Sequence, residues 1–334
     1  VRFGDLSMTE AFCHVSVLPE ETVAGLLTDP DGVYVDCTLG GGGHASRLAA
    51  RLSAAGRIIG IDQDAAAVAA ASERLADTLC RINIVRDNFR HLASILDALE
   101  ITEAQGFLFD LGVSSPQLDN AARGFSYMQD APLDMRMDDR AVLSAYDVVN
   151  DWPEEELARI FKEYGEERWA GRIAQFIVAA RQEEPVRTTG ELVDIIRRAI
   201  PAAVRKAAAG HPTKRVFQAI RIAVNDELAI LNDAFHTAVH YLSPGGRIAV
   251  ITFHSLEDRI TKNAFREMAR GCICPPELPV CVCHHQPEIR LLNKVIRPRA
   301  EEVAHNPRAK SAKLRIAEKL PKTLQAGEAP KGGV

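Results

Sequence analysis

From residue 33 onward, short apolar runs alternate with helical spacings. Val33-Tyr34-Val35-Asp36 is a β-rich run ending in a glycine cluster, Gly40 to Gly43, and Leu48, Ala49 and Leu52 follow at helical spacing. Arg57 to Asp62 repeats the strand pattern, and the alanine-rich stretch from Ala65 to Leu79 consists of strong helix formers. Ile82 to Arg86 is a third strand, His91 to Leu99 a helix, and Gly106 to Asp110 a fourth strand. Such alternation predicts an α/β fold with a mostly parallel sheet covered on both faces. Sites on these sheets lie beyond the carboxyl ends of the strands.

After Asp110 the alternation stops. Gly112 to Arg140 is polar, carries Pro116 and Pro132, and reads as a long loop. Asp151 with Glu154 fits a capping box opening a helix to about Tyr164, and Thr188 with Glu191 repeats the device. Trp169, Ile173, Phe176, Ile177 and Ala180 recur at helical spacing as a core stripe. These signals predict an inserted helical subdomain. A helical pattern from Val216 to Leu242, the turn Ser243-Pro244-Gly245-Gly246 and a strand from Arg247 to Phe253 then resume the alternation. The expected division is 1–118 and 214–320 for the α/β part, 119–213 for the insertion, and 321–334 as a disordered tail.

Composition narrows the class. The 334 residues carry 47% hydrophobic and 25% charged side chains, which excludes disordered, collagenous and coiled-coil classes. No apolar run approaches the ~18 to 20 residues that span a bilayer. Val1 to Glu10 contains no apolar signal core, and seven cysteines are not a secreted disulfide framework, so a soluble cytoplasmic protein is expected. The net charge of −5 does not advertise a polyanion partner. Arg290 to Lys319 nevertheless holds nine basic residues against Glu301, Glu302 and Glu318, and a second basic region runs from Arg197 to Arg221. Either run alone reads as a solvated face; together they are compatible with a localised polyanion contact.

Gly40, Gly42 and Ala45 satisfy G-x-G-x-x-A between a strand and a helix, and Asp62 ends the next strand, where a ribose partner belongs. A dinucleotide and S-adenosylmethionine both need this geometry. Three features favour the second. Asp36, just before the loop, would oppose a pyrophosphate but suits the amino group of a methionine moiety. Asp87-Asn88-Phe89 offers a polar pair and an aromatic ring for an adenine, and the Pro-Gly-Gly turn before the late strand resembles a hallmark of class I methyltransferases.

Longer segments resemble one family. They are His14 to Leu18, Asp36 to His44, Asp110-Leu111-Gly112-Val113-Ser114-Ser115-Pro116-Gln117-Leu118-Asp119, Arg123 to Ser126 and Pro132 to Asp138. Phe217-Gln218-Ala219 with Arg221 and Asn225, Phe253 to Arg259, and Asn306-Pro307-Arg308 continue the series. In order along nearly the whole chain, they resemble the small-subunit ribosomal RNA methyltransferase H (MraW) family. The resemblance implies a class I S-adenosylmethionine-dependent, Rossmann-like fold with a helical insertion. It also implies methylation of N4 of a decoding-centre cytidine in 16S ribosomal RNA, with the small ribosomal subunit as partner and neither DNA nor membrane. Carried over by motif, Gly42, Gly43 and His44 would line the methionine and ribose end, Asp62 would take the ribose hydroxyls, and Phe89 would lie beside the adenine. Asp110 and Gln117 would close the pocket. The catalytic candidates are Asp110 as acceptor for the amine, then Ser114 and His254, the last also readable as a structural histidine.

The rival readings are an NAD-dependent dehydrogenase, a non-catalytic RNA-binding assembly factor and a DNA cytosine methyltransferase. The first leaves Asp36 and the Pro-Gly-Gly turn unexplained, the second is separated by turnover, and the third lacks the Pro-Pro motif at the fourth strand tip. Cys272, Cys274, Cys281 and Cys283, followed by His284 and His285, are donors suited to zinc. Their C-x-C spacing points alternate side chains apart unless the chain turns. Reduced thiols in a loop are therefore favoured over a structural zinc, and no metal ligand is assigned.

Overall fold

The computed structural model describes residues 16–203, 213–272, 274–275, 282–283, 285–292 and 294–321. The tail beyond 321, Cys281, His284, Arg205 and Lys206 lie outside the described residues. The chain forms two compact units: one contains 63–73 and 112–230, the other 16–62, 74–111 and 231–334.

The second unit is built on a seven-stranded sheet of order β3-β2-β1-β4-β5-β7-β6. The strands are β1 (Val33–Asp36), β2 (Arg57–Ile61), β3 (Arg81–Val85), β4 (Ala104–Asp110), β5 (Leu242–Thr252), β6 (Ile289–Leu291) and β7 (Lys313–Lys319). The first five pair in parallel, and β7 runs antiparallel to both β5 and β6. The order 3-2-1-4-5 of its parallel strands is that of a doubly wound, Rossmann-like sheet. β1, β2 and β4 are buried along nearly their whole length, as strands covered on both faces must be. Helix α1 (Pro19–Leu26) packs beside α2 (Gly43–Ala49). The helices Leu92–Ala98, Leu231–Tyr241 and Ser255–Met268 form a second group. We number them α4, α11 and α12; α3 (Ala65–Arg74) falls almost wholly in the other unit.

The helical unit contains α5 (Ser115–Asp119), α6 (Ala145–Asp151), α7 (Glu154–Glu163), α8 (Ala170–Glu183), α9 (Thr189–Ala199) and α10 (Thr213–Asn225). Ile173 and Ile177 of the predicted stripe are fully buried among Leu157, Ile160, Phe161 and Ile196, while Trp169, Phe176 and Ala180 pack at the margin of that core.

Three local expectations are corrected. Asp151 is not the cap of α7, which starts after Pro153 without a side-chain cap; Asp151 instead ends α6, whose capping box is Ser144 with Asp147. The pattern from Val216 to Leu242 is two helices, α10 and α11, interrupted near Asp226, whose φ is 50°. Both keep an apolar face, so periodicity alone joined them. The basic segment from Arg290 to Lys319 is not a uniform exposed run, because it supplies β6 and β7. Arg290 pairs with Glu318, and Lys313 and Arg315 both pair with Asp258 of α12, so part of that charge is neutralised inside this unit. The Thr188–Glu191 capping box is present at α9. The Ser243–Gly246 turn is an excursion within β5, where pairing jumps from Ala104↔Leu242 to Gly106↔Arg247.

Candidate active site

The carboxyl ends of neighbouring strands bring Asp36, Asp62 and Asp110 to one end of the sheet of the α/β unit. The loop after β1 folds between them. The Cys37 amide donates to Leu108 O and the Leu39 amide to Ile61 O, so the loop is tied to the strands on either side. Gly40 and Gly42 have φ of 52° and 74°, a left-handed conformation that glycine adopts without a steric penalty. The Gly40 amide donates to Asp62 Oδ2 at 2.7 Å, so Asp62 also secures the loop that carries the glycines. Gly42 is the N-cap of α2, and Gly43 and His44 form its first turn. A Cβ at Gly43 would overlap Ser16 Oγ.

His44 is buried, with Nε2 3.4 Å from Asp110 Oδ2, a separation suited to electrostatic attraction rather than a hydrogen bond. The Asp110 amide donates to Thr38 Oγ1 at 2.6 Å. Among the described residues, four shielded polar atoms here have no hydrogen-bond partner: Ser16 Oγ, His44 Nδ1 and Nε2, and Asp110 Oδ1. Buried polar groups are ordinarily satisfied, so such a cluster calls for a polar ligand or ordered water. Burial pushes the Asp36 carboxyl up to about 7; His44 and the Thr38 amide pull it down, and Asp110 and Asp62 add to the rise. Phe89 opens a 3-10 turn capped by Asn88 and meets Phe109 edge-on, with ring centroids 5.6 Å apart. It is only partly buried, which leaves ring surface for a partner.

His254 follows β5 and is the N-cap of α12. Its Nδ1 accepts from the Glu257 amide at 3.5 Å, its Nε2 lies 2.9 Å from Glu257 Oε1, and Glu257 Oε2 accepts from the Phe253 and His254 amides. The imidazole is thus held by a buried glutamate at a helix start.

Ser114 and Gln117 belong to the helical unit and engage each other in the capping box of α5. Gln117 Nε2 donates to Asp64 Oδ2 at 2.9 Å, and Arg123 Nη1 pairs with the same oxygen at 2.8 Å. Arg123 also donates to the carbonyls of Arg136 and Met137, and Asn225 joins Met135 O to the Met137 amide. Gly124, at φ 70°, lies so close to Pro132 O that no side chain fits. The segments around 123, 132–138 and 225 therefore form one framework.

Ser16, Thr38 and Asp64 were not among the residues singled out from the sequence. Thr38 and Ser16 carry no spacing signal, since each acts through a residue far away in the chain. Asp64 stands two residues after Asp62, and only the fold shows its bonds to Gln117 and Arg123.

The chain matches the MraW methylase family over residues 11–320. It is 54% identical to ribosomal RNA small subunit methyltransferase H of Brevibacillus brevis over 313 residues, covering 93% of this chain and 99% of that protein. The protein of the same name from Clostridium botulinum is 55% identical over 310 residues, with 92% and 99% covered. An rRNA methylase structure from Streptococcus thermophilus aligns over 91% of this chain and 94% of its own, with a TM-score of 0.38 and 13% identity. Such a remote structural likeness carries no argument, but a family match over most of the sequence does, and the chain belongs to the MraW methylase family.

Proposed function

We propose that this protein transfers a methyl group from S-adenosylmethionine to the exocyclic N4 amine of a cytidine in the decoding centre of 16S ribosomal RNA, acting on the small subunit in the cytoplasm. Family membership and the relatives' names support the ribosomal RNA substrate. The observation that carries the chemistry is the group of shielded, unsatisfied polar atoms around the glycine loop, which fits the cofactor's polar amino-acid end. Gly42, Gly43 and His44 would hold that end beside Asp36, Asp62 would take the ribose and Phe89 the adenine. No helix among the described residues is long and apolar enough to cross a membrane.

When bound, the cofactor supplies an electrophilic methyl on a sulfonium. The cytosine amine is a weak nucleophile because its lone pair is conjugated with the ring. Asp110, at the tip of β4, accepts one amine hydrogen, which draws the lone pair out of conjugation and orients it toward the methyl. Holding the amine in line with the methyl–sulfur bond supplies much of the rate. Transfer from the bound cofactor would exchange its S–C bond for an N–C bond, and Asp110 or water would take the surplus amine proton. Ser114 and His254 remain secondary candidates. A base inside a helix is inaccessible to such a site, so the cytidine must be unstacked.

The test is transfer from labelled S-adenosylmethionine to small ribosomal subunits, with the product nucleoside identified by mass spectrometry. N4-methylcytidine is expected from wild type, with at least a ~100-fold loss in Asp110→Asn, the scale of one acid–base contribution. Cofactor binding is measured in the same variant, and a loss of transfer well beyond any loss of binding assigns Asp110 to the chemistry. Tight cofactor binding with no transfer to subunits or naked RNA sinks the enzyme reading and favours an assembly factor.

A further inference from the structure

The stretch between α12 and β6 belongs to the α/β unit. The Glu288 amide donates to Met268 O at 2.8 Å, so the two ends of the stretch meet. No described residue between 269 and 288 is buried, and Val282 is 64% exposed. A loop of this length has no apolar anchor among its described residues, where a cross-link would serve instead.

The sulfur atoms supply one. The Sγ atoms of Cys272, Cys274 and Cys283 all lie within 4.8 Å of one another. The chain bends at Cys274 and at Cys283, so the divergence expected of C-x-C residues in an extended strand does not occur. Cys272 and Cys283 Sγ are 3.8 Å apart. That is far beyond a disulfide bond of about 2.05 Å. It equals the separation of about 3.8 Å between two thiolates that each stand about 2.3 Å from a tetrahedral zinc. Two of the sulfurs also accept backbone amides, Cys274 from Val282 at 3.4 Å and Cys283 from His285 at 3.5 Å. Amides donated to sulfur are the kind of outer-shell contact that orients thiolate ligands at a metal centre.

We infer that Cys272, Cys274 and Cys283 bind one zinc ion that closes the loop between α12 and β6. A tetrahedral centre needs a fourth donor. His285, two residues after Cys283, is the candidate among the described residues: its Nδ1 is shielded and without a hydrogen-bond partner there, and it stands outside the group of sulfurs until an ion draws it in. The role of the ion is to close the loop; methyl transfer from a sulfonium has no need of it.

The test is metal analysis of the full-length chain purified under reducing conditions and passed through a weak chelator. About one zinc per chain is expected, with at least a tenfold loss in Cys272→Ser and in Cys283→Ser and none in Cys80→Ala. Should the serine variants aggregate, wild-type chain stripped of zinc and loaded with cobalt is measured instead. A thiolate-to-cobalt charge-transfer band with strong tetrahedral d–d bands is then expected, and zinc should displace both. Wild-type chain that holds no zinc and gives no such bands overturns the proposal, as does iron or copper in stoichiometric amount.

Discussion

Asp36→Asn tests the electrostatics of the glycine loop directly. In the native state burial pushes this carboxyl from 3.8 up to about 7. Between those values the native protein holds a proton that the unfolded chain has released, so wild type loses stability as pH rises through that window. Three pH units at about 1.36 kcal/mol each make about 4 kcal/mol in all, of which about 2 to 3 kcal/mol falls between pH 5 and pH 8. An amide cannot ionise. The stability of Asp36→Asn relative to wild type should therefore rise by about 2 to 3 kcal/mol from pH 5 to pH 8. Urea unfolding of both proteins at each pH measures the difference, and subtraction removes titrations the two share. Parallel curves across that range would refute the reasoning, as would a carboxyl carbon resonance of Asp36 that titrates near 4. Ligand binding offers a second reading of the same group. A cationic amino group at the loop favours the ionised carboxylate, so wild-type cofactor affinity should weaken up to about tenfold per pH unit below 7 and the variant should lose that slope.

Gly43→Ala puts a methyl group on Ser16 Oγ, and cofactor affinity by calorimetry should fall at least about tenfold, with partial recovery in Gly43→Ala/Ser16→Gly; unchanged affinity in the single variant contradicts the crowding argument. Arg123→Ala removes one of the side-chain partners of the buried Asp64 carboxylate, for an expected loss of about 3 kcal/mol in urea unfolding, the lower end for a broken buried pair because Arg123 is partly exposed. Asp258→Ala should cost about 2 kcal/mol by the same assay, since it leaves Lys313 and Arg315 of β7 without their shared partner. Although burial alone would raise the Asp258 carboxyl, the bonds from Lys313 and Arg315 hold it below its usual range. Its contribution is accordingly present above the unfolded-state value and disappears as pH falls through the folded one, so wild type and variant should converge in acid.

The local order of strands and helices was written in the amino-acid sequence. β1, β2, β3 and β4 begin and end within two residues of the runs that announce them, β1, β2 and β4 because a buried parallel strand must be largely apolar, and the half-buried edge strand β3 through Ile82, Ile84 and Val85. The glycine loop was equally legible, since left-handed backbone at Gly40 and Gly42 leaves few residue types able to serve. Where several sequences of events share one periodicity, the chain alone did not decide. One apolar stripe covered both α10 and α11, and the break at Asp226 is a backbone event with no apolar signature. β6 and β7 were hidden because their alternating basic residues read as a solvated run. Only the pairing of Lys313 and Arg315 with Asp258 turns part of that charge inward.

The same division holds at the site. Residue type and position singled out Asp110, His44 and His254, but not what each faces. That His44 approaches Asp110 across 66 positions of chain and that Thr38 receives the Asp110 amide are outcomes of packing, whereas Glu257 meets His254 through a local capping box. Side-chain partners are set by which strand lies beside which. Neighbours across a sheet are joined through hydrogen bonds and burial rather than through the chain, so no spacing along the sequence encodes them. The convergence of Cys272, Cys274 and Cys283 has the same origin: the spacing predicts thiols that point apart, and the bends of the backbone bring them together.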